Sequence, residues 1–177
     1  NVELLDKIDS INPDIVILAG DMMVGRPNTP TRVAENFVNA LVEKYPVYYG
    51  IGNHELRVQL YDKYKDMWEK YFNNIDKRVV WLDNKKVHIT IEGESICLYG
   101  LDIDKEYYSR HGSREMDVSY IEEVLGDIDS SLYNIMIAHN PEYFDTYAKW
   151  GADLTLSGHN HGGIVNLPFV GGVISTR

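Results

Sequence analysis

Four short apolar runs in this chain each break into a polar turn that carries a side chain able to hold a metal ion. Residues 15–18 (Ile-Val-Ile-Leu) run into Gly20-Asp21, and residues 47–49 into Gly52-Asn53-His54-Glu55. Residues 135–137 run into His139-Asn140, and residues 154–156 into Gly158-His159-Asn160-His161. Runs this short and apolar, bounded by turn residues, read as buried strands. In open α/β sheets, ligands collect beyond the carboxyl ends of the strands. Four such ends on neighbouring strands would bring Asp21, Asn53, His139, His159 and His161 into one cluster. Glycines ahead of three of the motifs suit tight exits from a strand.

Helices fall between these runs. Leu4, Ile8 and Ile11 have helical spacing, and Asn12-Pro13 stops that segment, because the residue before proline avoids the helical region. Val33, Phe37, Ala40 and Leu41 mark a second helix, with Thr29 as a cap and Pro30 in its first turn. Leu60, Tyr64, Met67, Trp68 and Tyr71 mark a third. Strands are expected at 79–82, 87–91 and 96–101, the last two joined as a hairpin through Glu92-Gly93-Glu94-Ser95. A long polar loop over 102–116 precedes a helix near 118–125, a strand at 133–138 and a helix at 141–150. There is no repeat, low-complexity tract or linker, so residues 1–177 form a single domain of layered α/β type.

Charge narrows the partners. A formal net charge of −10 argues against broad nucleic-acid binding, which relies on Lys and Arg to neutralise phosphates. No apolar run approaches the roughly 20 residues of a membrane span. The lone Cys97 sits in an apolar stretch, forms no intrachain disulfide and reads as a small core residue. The default compartment is cytoplasmic, with membrane association through a preceding segment left open.

In order and residue type, Gly20-Asp21, Gly52-Asn53-His54-Glu55, His139 after a strand, and Gly158-His159-Asn160-His161 resemble the motifs of the calcineurin-like metallophosphoesterases. The resemblance covers positions 21 to 161, and its style is similar to the bacterial branch containing UDP-diacylglucosamine pyrophosphatase-like proteins. It implies a four-layer αββα sandwich with mixed sheets. It implies two divalent metal ions, Mn, Fe, Zn or similar, since the donors are oxygen and nitrogen without thiolate. Asp21 would bridge the metals, Asn53, His139 and His159 would complete one site, and His161 would belong to the other. His54 would be catalytic, facing the phosphoryl group. The implied reaction is hydrolysis of a phosphomonoester, phosphodiester or pyrophosphate by a metal-activated water or hydroxide, on a small-molecule, lipid or nucleotide substrate.

Two departures accompany the resemblance. The family's first motif, Asp-Xaa-His, is absent, so the chain reads as a fragment lacking the first strand and short at its C-terminus. The site of His161 is then incomplete, and the alternatives are an inactive fragment or a non-catalytic binding module with this fold. The second departure is Val24, at a place where many relatives carry an Asp able to orient the motif histidine. Glu55 reads as a support of its loop, His88 and His111 as surface or strand histidines, and Asp102 and Asp104 as loop-solvating carboxylates. In the loop over 102–116, Tyr107 and Tyr108 are candidates for stacking on substrate. Arg110, His111 and Arg114 are candidates for meeting a second anionic group.

Overall fold

The structure is a computed structural model that describes residues 2–108 and 114–161, together with the backbone of two further strands, 165–167 and 171–174. The chain runs α1 (Val2–Ile11), β1 (Val16–Leu18), α2 (Arg32–Val42), β2 (Val47–Gly50), α3 (Asn53–Leu60), α4 (Lys65–Asn74) and β3 (Val80–Leu82). It continues with β4 (Lys85–Ile91), β5 (Glu94–Leu101), α5 (Val118–Leu125), β6 (Tyr133–Ala138), α6 (Phe144–Trp150), β7 (Leu154–Leu156), β8 (Val165–Leu167) and β9 (Gly171–Ile174). One sheet has the order β1-β2-β3, all parallel. The second has the order β4-β5-β6-β7, with β4 antiparallel to β5 and the remaining pairs parallel. Strands β8 and β9 form a separate antiparallel pair. Among the described residues, no helix is long and apolar enough to cross a membrane.

Side-chain alternation along the strands produces the layers, because successive residues of a strand point to opposite faces. In β2, Tyr49 joins Phe37, Leu41 and Tyr71 under the helices, while Tyr48 turns to the other sheet. In β6, Met136 meets Ile121, Tyr147 and Trp150, while Ile135 and Ile137 pack with Leu82 and Leu98 between the sheets. The result is helix, sheet, sheet, helix: the αββα sandwich, with one sheet mixed. Strands buried on both faces need no polar alternation, which is why their sequences are continuous apolar runs.

Several local expectations are corrected. The helix marked by Leu60 to Tyr71 is two helices. Helix α3 starts at Asn53 itself and ends at Leu60, the backbone of the following Tyr61 being extended (φ −108°, ψ 117°), and α4 begins at Lys65. Spacing at i, i+4 spans such a break without revealing it. Leu60 is therefore exposed, while Tyr71 is buried and Trp68 packs beside Trp81. The residue at the N-cap position of α2 is Thr31, not Thr29, with its hydroxyl donating to Glu35 rather than accepting from a backbone N–H, and Val33 lies on the exposed face. The β4–β5 turn is confined to Glu92 and Gly93, both at positive φ, as a two-residue hairpin of primed type requires.

Candidate metal centre

The strand ends converge as the motif order implies. Ligand atoms of Asp21, His139 and His159 all lie within 4.8 Å of one another. Asn53, the first residue of α3, brings its Oδ1 to 2.9 Å from His159 Nδ1. His139 is buried, and its Nδ1 lies 2.6 Å from the carbonyl oxygen of Ala19. A carbonyl can only accept, so Nδ1 carries a proton. The other nitrogen, Nε2, is buried without a hydrogen-bond partner and faces Asp21 Oδ2 at 3.1 Å. A bare imidazole lone pair against a carboxylate is repulsive unless a cation stands between them. A proton can fill that place, and burial notwithstanding, Asp21 holds the His139 pKa above its ordinary value. A divalent ion fits the same donors better, because the carbonyl behind the ring already sets the tautomer that a metal ligand needs. Asp21 mirrors this. Burial pushes its carboxyl up, but His139 and the backbone of His54 hold it net below the usual range.

Glu55 explains why Asp21 stands where it does. It is fully buried and accepts from the backbone N–H groups of Asp21, Met22 and Met23 at 2.8, 2.9 and 3.3 Å. It also accepts from Gly52 N–H at 3.2 Å and from the Tyr49 hydroxyl at 2.8 Å. Tyr71 in turn lies 2.9 Å from Tyr49, oxygen to oxygen. Burial and the nearby Asp21 push the Glu55 pKa up, while the donors oppose that. One carboxylate from α3 thus knots the turn after β1 to the turn after β2. The knot demands close backbone approach: a Cβ on Gly52 would sit 2.4 Å from Asp21 N, and one on Gly20 would sit 2.5 Å from Gly52 N. Asp21, His159 and His161 themselves hold positive φ (56°, 63° and 51°), a costly conformation for non-glycine residues that tends to cluster at functional sites.

His54 is held differently. Its Nδ1 accepts from Gly25 N–H at 2.9 Å, so in the neutral ring Nε2 carries the proton. Its backbone N–H donates to Asp21 Oδ1 at 2.8 Å, and its Nε2 lies 4.0 Å from Asp21 Oδ2. A backbone donor therefore orients the ring that Val24 cannot. Burial, together with Arg57 and Arg26, keeps the imidazole pKa below its ordinary value despite Asp21.

Above these groups opens a cavity of about 390 Å³, lined by Asp21, Asn53, His54, His159 and His161. Exposed Arg26, Arg57, Lys105 and Tyr61 form its rim, and half-buried Tyr108 also lines it. The candidate substrate loop is only partly there. Tyr107 is turned into the core, packed on Tyr120 and Tyr143, and does not line the cavity. Arg114 pairs with Glu106 and lies over the Tyr107 ring, also away from the cavity. Arg110 and His111 lie outside the described residues. Tyr108 does face the site, 5.5 Å from the His159 ring. Asp102 is a correction of another kind. It is buried at the end of β5, its Oδ1 has no hydrogen-bond partner, and burial beside Asp83 and Asp104 pushes its pKa up to about 8. Sequence reasoning missed Arg26, Arg57, Lys105 and Tyr61. Arg57 was findable, because it lies one helical turn after His54 once α3 is started at Asn53.

An αββα sandwich with an Asp/His/Asn cluster beyond its strand ends defines a metallophosphoesterase-type domain. A family model for calcineurin-like phosphoesterases matches residues 1–163, and the chain belongs to that family. The chain is 30% identical over 165 residues to the uncharacterized protein YpbG of Bacillus subtilis, covering 91% of this chain and 56% of the relative. It is 30% identical over 173 residues to F40B5.2 of Caenorhabditis elegans, named as a metallophosphoesterase, covering 95% of this chain and 34% of the relative. It is 28% identical over 171 residues to the uncharacterized metallophosphoesterase Cj0846 of Campylobacter jejuni, covering 95% of this chain and 40% of the relative. The chain thus spans between about a third and just over half the length of these relatives. Their names support the family, not the finer UDP-diacylglucosamine branch.

Proposed function

We propose that this domain is the catalytic unit of a metal-dependent phosphoesterase that cleaves a phosphomonoester, phosphodiester or pyrophosphate. The observation that carries it is the His139 ring: one nitrogen fixed by a backbone carbonyl, the other buried, bare and aimed at the Asp21 carboxylate 3.1 Å away. Asp21, Asn53, His139 and His159 would hold one ion, and Asp21 with His161 would hold part of a second site. When bound, divalent cations supply Lewis-acid charge and an activated water for attack on phosphorus. The chain's own residues do the rest. Asp21 keeps Oδ1 anchored on the His54 backbone N–H and turns Oδ2 to the bare Nε2 of His139, where a cation would join the two. His54 presents Nε2–H to a phosphoryl oxygen as a neutral donor that stabilises developing negative charge. Glu55 holds both turns in register. The test is metal content and 4-nitrophenyl phosphate hydrolysis of the full-length protein. His159→Ala removes more bound metal than His161→Ala and abolishes turnover. Equal metal loss in the two variants overturns the ligand assignment. Metal bound with no turnover on monoester, diester or pyrophosphate overturns the catalytic reading in favour of a binding module.

A further inference from the structure

The wall of the cavity outside the ligand cluster carries a charge pattern that the hydrolytic reading does not use. Arg26 comes from the turn after β1, Arg57 from α3 and Lys105 from the 3₁₀ turn after β5, and all three line the same cavity as Asp21 and His159. Some exposed cations of the chain are paired with carboxylates: Lys44 with Asp9, Arg78 with Asp76 and Glu43, and Arg114 with Glu106. Among the described residues, no carboxylate forms an ion pair with Arg26, Arg57 or Lys105, and Asp21 is the only acidic residue that lines the cavity. Arg57 lies one turn along α3 from His54, and Arg26 follows Gly25, whose N–H holds the His54 ring. Lys105 Nζ lies 6.0 Å from the centre of the Tyr61 ring, which lines the same cavity.

We infer that Arg26, Arg57 and Lys105 form a subsite for a second anionic group of the substrate, so that the preferred substrate carries two linked phosphates rather than one. This rests on the phosphoesterase reading for the place of the reacting phosphoryl group. Three cations from three elements line one cavity and, among the described residues, hold no ion pair that an incoming anion would have to break, and they give it two arginine forks to accept from. Exposed Tyr61 and Leu60 on the same wall offer an aromatic and an aliphatic surface to whatever the second phosphate bears.

The experiment is calorimetric binding of methylenebisphosphonate and of methylphosphonate to the full-length protein freed of excess metal, for wild type, Arg26→Ala, Arg57→Ala and Arg57→Lys. Wild type binds the bisphosphonate at least about tenfold more tightly. In either alanine variant the gap narrows to about threefold or less, and Arg57→Lys keeps part of it. Equal affinity for the two probes in wild type overturns the subsite, and so does a gap that survives both alanine substitutions. Equal weakening of both probes overturns it as well, because it places the arginines on the reacting phosphoryl group. The readout is binding, so a protein that hydrolyses nothing yet shows the gap refutes only the catalytic reading. One that hydrolyses 4-nitrophenyl phosphate without the gap refutes only the subsite.

Discussion

On the floor of the cavity, the candidate ligands are tied down from behind: His139 by the Ala19 carbonyl, Asp21 by the His54 backbone, and the turn that carries Asp21 by Glu55. On the rim, Arg26, Arg57, Lys105 and Tyr61 are exposed, and among the described residues the cations have no ion pair to fix them. The floor spends backbone strain and buried hydrogen bonds on geometry, as chemistry within a fraction of an ångström requires. The rim acts through charge, which tolerates displacement and side-chain motion. Floor substitutions should therefore damage folding and turnover together, whereas rim substitutions should alter only which ligand is preferred.

The largest expected effect comes from cutting the knot. Glu55→Gln puts an amide against backbone N–H donors in a fully buried place and should cost about 3 kcal/mol or more in urea unfolding. Arg57→Ala on the rim should stay within about 0.5 kcal/mol of wild type in the same measurement. If the two variants unfold alike, the floor and the rim are not different in kind. Metal content should fall with Glu55→Gln, since Asp21 loses its anchor.

His54 stands where floor meets rim. His54→Ala should lower kcat on 4-nitrophenyl phosphate by about 10²–10⁴ while bound metal stays near the wild-type level. His54→Gln should retain more activity than the alanine variant, because a neutral N–H donor is what Gly25 leaves available on the ring. Turnover that drops only in proportion to metal would assign His54 to the ligand set instead.

The smallest effect sharpens the comparison at its border, at Asp102 beneath the 3₁₀ turn that carries Lys105 and Tyr108. Its pKa is about 8 in the fold against 3.8 as the reference value. The folded state thus binds this proton more tightly than the unfolded state does. The stability it confers is full below pH of about 4 and is lost as pH rises towards about 8. Asp102→Asn, studied with chelator present, should match wild type near pH 4 and exceed it near pH 9 by on the order of 2 kcal/mol in thermal unfolding. A stability difference independent of pH would show that the carboxyl is not held protonated.

Much of the floor was legible in advance. The side chains at positions 21, 53, 139 and 159, which the sequence marks as candidate ligands, do come together, and a strand end is a local feature: apolar residues, a turn, then a side chain able to donate an electron pair. Loop positions were harder. Tyr107 and Tyr108 are adjacent and identical in composition, yet one fills the core and the other faces the site. The difference is set by a 3₁₀ turn over Lys105–Tyr108 that composition does not announce. Asp102 failed for the same reason. An aspartate after a strand is usually solvated, but the fold buries this one, with Asp83 and Tyr108 near enough to interact with its charge.

By itself, the sequence determined the layered α/β class, the order of the strands that end in candidate ligands, and the oxygen and nitrogen donors, without sulfur, that those ends carry. These depend on side-chain type and on periodicities of 2 and 3.6 residues, which the chain carries along its length. Only the tertiary structure decided that Glu55 knots two turns, that Gly25 orients His54, and that Arg26, Arg57 and Lys105 meet at one cavity. Each of those facts joins residues separated by about 30 positions or more in the chain, or depends on a backbone N–H that every residue but proline possesses. Sequence pattern holds no record of which of those identical donors will be aimed at which side chain. The packing of one sheet against the other supplies it.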